Sequence, residues 1–268
     1  MSVNSALSIA NGGLANINAQ FALISQNVAN AATPGYAVEV GNQQDVTSDG
    51  IPLGVQTGPA TLQIDQALQA SVTQQNAIVS NAKTTQTALQ GIDSVLGTPG
   101  SGSDIGSLLG NLQNSFSTLL TDPSNQTEQS AVVSSATTLA QGINNLSSAY
   151  SSQRQAAQND LGSAVNTLNA TLTTIGQLSN QIVDLKSGNQ STAELENQRN
   201  TAVQTLSQLL AVKTAEQPDG DLTVFTSSGL VLSTRSTSGP FSCQMHPRHP
   251  DRIIPVAAFL ALPWVVKM

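Results

Sequence analysis

Charge is scarce in this chain. Charged residues make up 9% of its 268 residues and aromatics 3%, both low for a globular enzyme. The charges that are present sum to −7, which argues against nucleic acid, a partner that demands clustered Lys and Arg. The same sign disfavours docking on an acidic membrane surface. Residues 1–235 contain no Cys, His or Trp. The single cysteine, Cys243, leaves no disulfide to form within the chain. No nucleophile has a base in a Ser/His/Asp or Cys/His arrangement. The Gly-rich stretch at 97–102 lacks the lysine and the preceding strand of a phosphate loop. No enzyme activity and no cofactor are expected. The start has neither a basic segment nor the continuous apolar segment of a cleavable signal. The one long apolar run, 253–266, falls short of the ~20 residues of a membrane-spanning helix, and Pro255 and Pro263 interrupt it.

What the chain has instead is helical period. Leu7, Ala10, Leu14, Ile17, Phe21, Ile24, Val28 and Ala31 follow steps of three and four without an error. That is the rhythm of a coiled-coil seam. The other face is Asn, Gln, Ser and Gly. The Gly12-Gly13 pair lowers isolated helix stability by ~1–2 kcal/mol, which suits a segment ordered on assembly. Thr33-Pro34-Gly35-Tyr36 is expected to stop the helix, because Pro34 disfavours helical geometry at Thr33 and Gly35 permits a positive φ.

Residues 37–60 read as irregular, with a short alternation at Val38 and Val40 and turns at Asp49-Gly50, Pro52, Gly54 and Pro59. A helical period returns from 60 to 96, and again from 105 to 120 behind an Asp104 cap. Residues 126–186 read as one very long helix, or two in line. Ser191-Thr192-Ala193-Glu194 fits a capping box for a further helix over 195–210. The period then changes to two around Gln217-Pro218-Asp219-Gly220-Asp221, a hairpin signal, with a third strand beginning at Leu230-Val231-Leu232. The fold class expected is mainly α: a long-helix bundle with an N-terminal coiled-coil-forming helix and a short, incomplete β region near 211–234.

Two metal readings carry little weight. Cys243, His246 and His249 offer zinc-like ligands, but Pro247 and Pro250 stand beside the histidines and a fourth ligand is missing. Asp45, Asp49, Asp219 and Asp221 lack the alternating-oxygen spacing of a calcium loop, and turns account for all four.

Ser25, Asn27 and Asn30, followed by Thr33-Pro34-Gly35-Tyr36, resemble the N-terminal signature of the flagellar rod, hook and hook-associated axial proteins. The helical bundle after it, and the Leu195-Glu196-Asn197-Gln198-Arg199-Asn200 stretch leading to a Pro-Asp-Gly hairpin, are similar to the hook-associated protein 1 family of hook–filament junction proteins. The resemblance covers residues 1–235. It implies a secreted structural protein of the bacterial flagellum that polymerises by coiled-coil packing. The implied partners are the hook protein, the second junction protein, copies of itself and an export chaperone, with no nucleic acid and no membrane. The implied organisation is an assembly helix at 1–36, a helical bundle at 37–210 and the start of a β domain at 211–235. In that family a returning C-terminal helix pairs with the first one. Residues 236–268, with their sudden Pro, His, Cys and Trp, read as a non-family tail, from a shifted frame or disordered, so the chain is expected to be a truncated N-terminal half. The alternatives are a secreted helical adaptor or binding module, or another rod or hook family member.

Overall fold

The computed structural model describes residues 3–48, 51–235 and 241. The zinc-like cluster at Cys243, His246 and His249, and most of the segment expected to be foreign, lie outside the described residues. The fold is mainly α. Helices α1 (Val3–Ala29), α2 (Gln66–Leu96), α3 (Ile105–Leu119), α4 (Gln126–Ser187) and α5 (Ala193–Leu209) carry most of the chain. Short antiparallel ladders join β1 (Glu39–Val40) to β4 (Thr61–Leu62) and β2 (Gln43–Ser48) to β3 (Ile51–Thr57). β5 (Val212–Glu216), β6 (Leu222–Thr226) and β7 (Val231–Leu232) form a three-stranded antiparallel sheet in that order. Among the described residues no helix is long and apolar enough to cross a membrane.

Three local expectations need correction. Residues 37–60 are not irregular: they hold β1, the β2–β3 hairpin and the approach to β4. Pro52 fits inside β3 because it pairs with Thr47 beside a register shift, where a missing N–H is tolerated. The helix expected from residue 60 starts at Gln66, where Asp65 accepts from the Ala67 and Leu68 amides at 2.9 and 3.1 Å. The capping box at 191–194 does not form. The cap of α5 is Thr192, without a side-chain bond to the backbone, and Ser191 Oγ instead points to the Ala60 carbonyl at 3.5 Å. Asp104, by contrast, caps α3 by accepting from the Ser107 amide at 3.0 Å.

The chain divides into two compact units, Met1–Ser80 with Ala164–Met268, and Asn81–Ser163. The second unit is helical. There α3 rests on α4 at Gly142, where an added Cβ would meet Leu108 Cδ1 at 2.8 Å and Ile105 Cδ1 at 3.2 Å. The first unit holds the apolar core, in which Leu172 and Ile175 of α4 and Val203 and Leu206 of α5 meet Val224 and Leu232 of the sheet. Phe241 packs against the same cluster, and its amide and carbonyl pair with the Asn169 side chain at 3.2 and 2.8 Å.

Candidate assembly interface

The first unit is also where α1 finds its support. An amphipathic helix needs a partner for its apolar stripe, yet the side of α1 that is covered here is the other one. Ile9, Gly12, Gly13, Asn16 and Leu23 are buried or half-buried. An added Cβ at Gly54 of β3 would lie 3.7 Å from Ile9, and one at Gly12 would lie 3.7 Å from the Val55 carbonyl. Thr57 Oγ1 donates to Asn16 Oδ1 at 2.9 Å. The two 3.7 Å approaches are ordinary contact distances, so the hairpin packs on this side of α1 without needing glycine at 12, while Gly54 is required by its φ of +127.

The 3/4 stripe stays in solvent. Leu7, Ala10, Leu14, Ile17, Phe21, Ile24, Val28 and Ala31 are all exposed, Phe21 at 65% and Val28 at 71%. Val3, four residues before Leu7, extends the same face and is exposed as well. No charged residue precedes Glu39, so the face carries apolar contact and nothing that would repel a like surface.

The Ser25–Tyr36 motif forms the root of this helix. α1 ends at Ala29, and Asn30 to Tyr36 run as turns held by Thr33 N to Asn30 O at 2.8 Å and Tyr36 N to Thr33 O at 3.2 Å. The helix thus stops four residues before Thr33, because Asn30 Nδ2 donates back to the Gln26 carbonyl and Thr33 Oγ1 donates to Asn30 Oδ1. Ser25 Oγ donates to the Phe21 carbonyl on an exposed turn. Pro34 is exposed, and Gly35 has φ +83 with Gln204 of α5 directly beneath it. Asn27 is the hub. Its Oδ1 accepts from the Tyr36 hydroxyl at 2.8 Å and the Glu39 amide at 2.9 Å, and its Nδ2 donates to the Glu39 carbonyl at 2.8 Å.

Four residues outside the motif complete the root. Asn197 of α5, 4% exposed, accepts from the Ala37 amide at 2.8 Å. It donates to the Ala37 carbonyl at 3.0 Å and to Glu39 Oε1 at 3.1 Å. Gln26 donates to Glu194 Oε2 at 2.8 Å. Burial holds the Glu39 carboxyl above the usual carboxylate range; the Asn197 hydrogen bond opposes this, and the charge of Glu194 adds to it. Burial, then the Glu39 and Glu194 charges, push the Tyr36 phenol up. Asn197 stands inside the Leu195–Asn200 stretch, but no local spacing marks it as a partner of Ala37, 160 residues earlier. Among the described residues no group of three or more His, Cys, Asp or Glu is placed to hold a metal ion.

Three comparisons bear on this arrangement. Residues 89–257 match the family model described as the flagellar hook-associated protein FlgK helical domain. The match begins beyond α1 and the Ser25–Tyr36 motif, includes the α5 residues of the root, and ends inside the segment 236–268 expected to be foreign. A solved structure, the flagellar hook junction protein FlgK from Burkholderia pseudomallei, is similar at a TM-score of 0.55 and 26% identity. The likeness covers 62% of this chain and 29% of that one, so this chain corresponds to less than a third of the solved protein. No curated protein matches.

Proposed function

The chain belongs to the FlgK family of flagellar hook-associated proteins, and on that premise we propose that it is a structural subunit of the hook–filament junction whose α1 stripe is the assembly seam. The observation that carries the reading is an unbroken, uncharged apolar face, Leu7 to Val28 at 3/4 spacing, held out in solvent by a helix whose opposite side is already packed, with Ala31 exposed in the turn just past its end. The work of such a surface is packing rather than chemistry. Its partners are copies of this chain and the neighbouring axial subunits, the hook protein and the second junction protein. The site of action is the flagellum, outside the cell, reached by export with a chaperone. Nucleic acid, membrane and cofactors have no part in it.

Magnitudes favour a seam that closes within a larger assembly. Full burial of Leu7, Leu14, Ile17, Phe21, Ile24 and Val28 at ~1.5–3 kcal/mol each gives about 9–18 kcal/mol, and less here because they are already only 50–71% exposed. Free association costs about 4–15 kcal/mol. One seam between two free subunits is therefore marginal, and several neighbours together make it stable. The test is co-sedimentation of the chain with isolated hooks. Wild type should pellet with them. Phe21→Asp should not, while its urea midpoint stays within the ~0.5 kcal/mol typical of exposed positions. Phe116→Asp, at an exposed position of the other unit, serves as the control and should pellet. Equal binding by Phe21→Asp, or no binding by wild type, overturns the reading.

A further inference from the structure

The seam accounts for the apolar face of α1 but leaves the carboxyl groups at its root unused. We propose that Glu39 is a proton-governed latch: with its carboxyl protonated the root of α1 is closed onto α5, and on ionisation that root loosens. The consequence for assembly rests on the seam reading above, whereas the latch is a property of the folded subunit.

The geometry is that of a buried acid without a counter-ion. Glu39 is 5% exposed. From α5 it faces Glu194 and Glu196, and from its own turn Tyr36. α1 brings Gln26 and Asn27 and no charge, and β4 brings Thr61 and Leu62. Among the described residues no ion pair reaches Glu39; the two that are present join Arg199 to Glu216 and Arg235 to Asp221. Among the described residues the side-chain donor to its carboxyl is Asn197, which also clasps both backbone groups of Ala37. The Asn197 bond favours the ionised carboxylate and only offsets part of the cost. It is the burial of the charge beside Glu194 and Glu196 that opening of the root relieves, since Glu39 leaves α5 together with Ala37.

Burial first, and then the Glu194 and Glu196 charges, hold the folded carboxyl above its ordinary value of 4.5. Below that value the acid is neutral in the open and closed states alike, and closure carries no penalty. As pH rises from the ordinary value to the raised one, the open form ionises first and gains on the closed form. Above the raised value the penalty is complete. The latch is therefore tight in acid and loosens toward neutrality.

Hydrogen exchange of the Ala37 and Glu39 amides tests this, because both donate to side chains of the root. The full chain would be followed from about pH 4 to pH 8, with correction for intrinsic exchange. The opening equilibrium should rise about tenfold for each unit by which the folded carboxyl is raised, while the Val203 and Leu206 amides stay protected. Glu39→Gln, a neutral amide able to donate to Glu194, should give a flat and tight profile. Glu194→Gln removes the nearest like charge and should move the rise to lower pH. A flat wild-type profile, a Glu39→Gln profile with the wild-type slope, or an unmoved rise in Glu194→Gln overturns the latch. If Glu39→Gln fails to fold, the Glu194→Gln shift decides. None of these readouts involves assembly, so a failed seam test and a failed latch test are told apart.

Discussion

Replacement of Asn197 by alanine should detach the root of α1 from α5. The side chain makes three hydrogen bonds at 2.8, 3.0 and 3.1 Å from a nearly closed position. Two go to the neutral backbone of Ala37 and contribute about 1 kcal/mol each; one goes to the Glu39 carboxyl, where about 1.5–3 kcal/mol is usual. The loss adds to roughly 3–5 kcal/mol, a large part of the ~5–15 kcal/mol that holds a domain together. Urea unfolding followed by circular dichroism should show the midpoint fall at an unchanged slope. Asn197→Asp sharpens the test. An aspartate still accepts from the Ala37 amide, but it cannot donate to the Ala37 carbonyl or to Glu39, and it sets another anion beside a buried acid. It should therefore be worse than alanine at neutral pH and recover in acid, although it is closer in shape to asparagine. A loss below about 1 kcal/mol for the alanine variant, or an aspartate variant as stable as wild type, refutes the claim that this side chain joins the two ends.

Two further outcomes follow from local geometry. Gly176→Ala raises helix propensity in α4 by ~1 kcal/mol, yet its Cβ would press on the Thr234 carbonyl, with the carbonyl carbon at 2.8 Å. Backbone has to shift, so thermal unfolding should show a net loss of about 1–3 kcal/mol. Ser191→Ala should change stability by less than ~0.5 kcal/mol, well short of the ~1 kcal/mol of a true cap, because Ser191 makes no capping bond. A larger loss in urea unfolding would restore the capping box.

The helices were legible because their period persists. In α1 the 3/4 steps run through six intervals from Leu7 to Val28, and in α4 a single helix of 62 residues follows one stripe. The β2–β3 hairpin was not, although Leu53 and Val55 alternate and Asp49-Gly50 is a strong hairpin signal. Pro52 and Gly54 read as breakers there, whereas a two-stranded ribbon has open edges that accept both. The capping box failed for a different reason. Its sequence is correct, but Ser191 turns to Ala60, and Glu194 is taken by Gln26 and Gln198. A tertiary contact outcompeted a local one. The root shows the same limit: Asn27 and Tyr36 stood out in the motif, while Glu39, Asn197 and Gln204 meet them through separations that no local pattern encodes.

The placement of those distant partners gives α5 a double task. Asn197 holds Ala37 and Glu39, and Gln204 lies under Gly35. Between them Arg199, 2% exposed, donates through Nη1 to the Gly220 carbonyl at 2.6 Å and pairs through Nη2 with Glu216 at 3.3 Å. Gly220 in turn has φ +95 and room for no Cβ, since Ile182 Cγ2 would stand 2.9 Å away. One helix of 17 residues thus fixes the base of the exposed seam and the turn of the β5–β6 hairpin. Its remaining face, Val203 and Leu206, lies in the core. A rigid core element between the two explains how an apolar stripe left exposed among the described residues can still be presented in a defined direction. The hydrophobic contacts of α5 set its position, and its polar residues transmit that position to the root of α1.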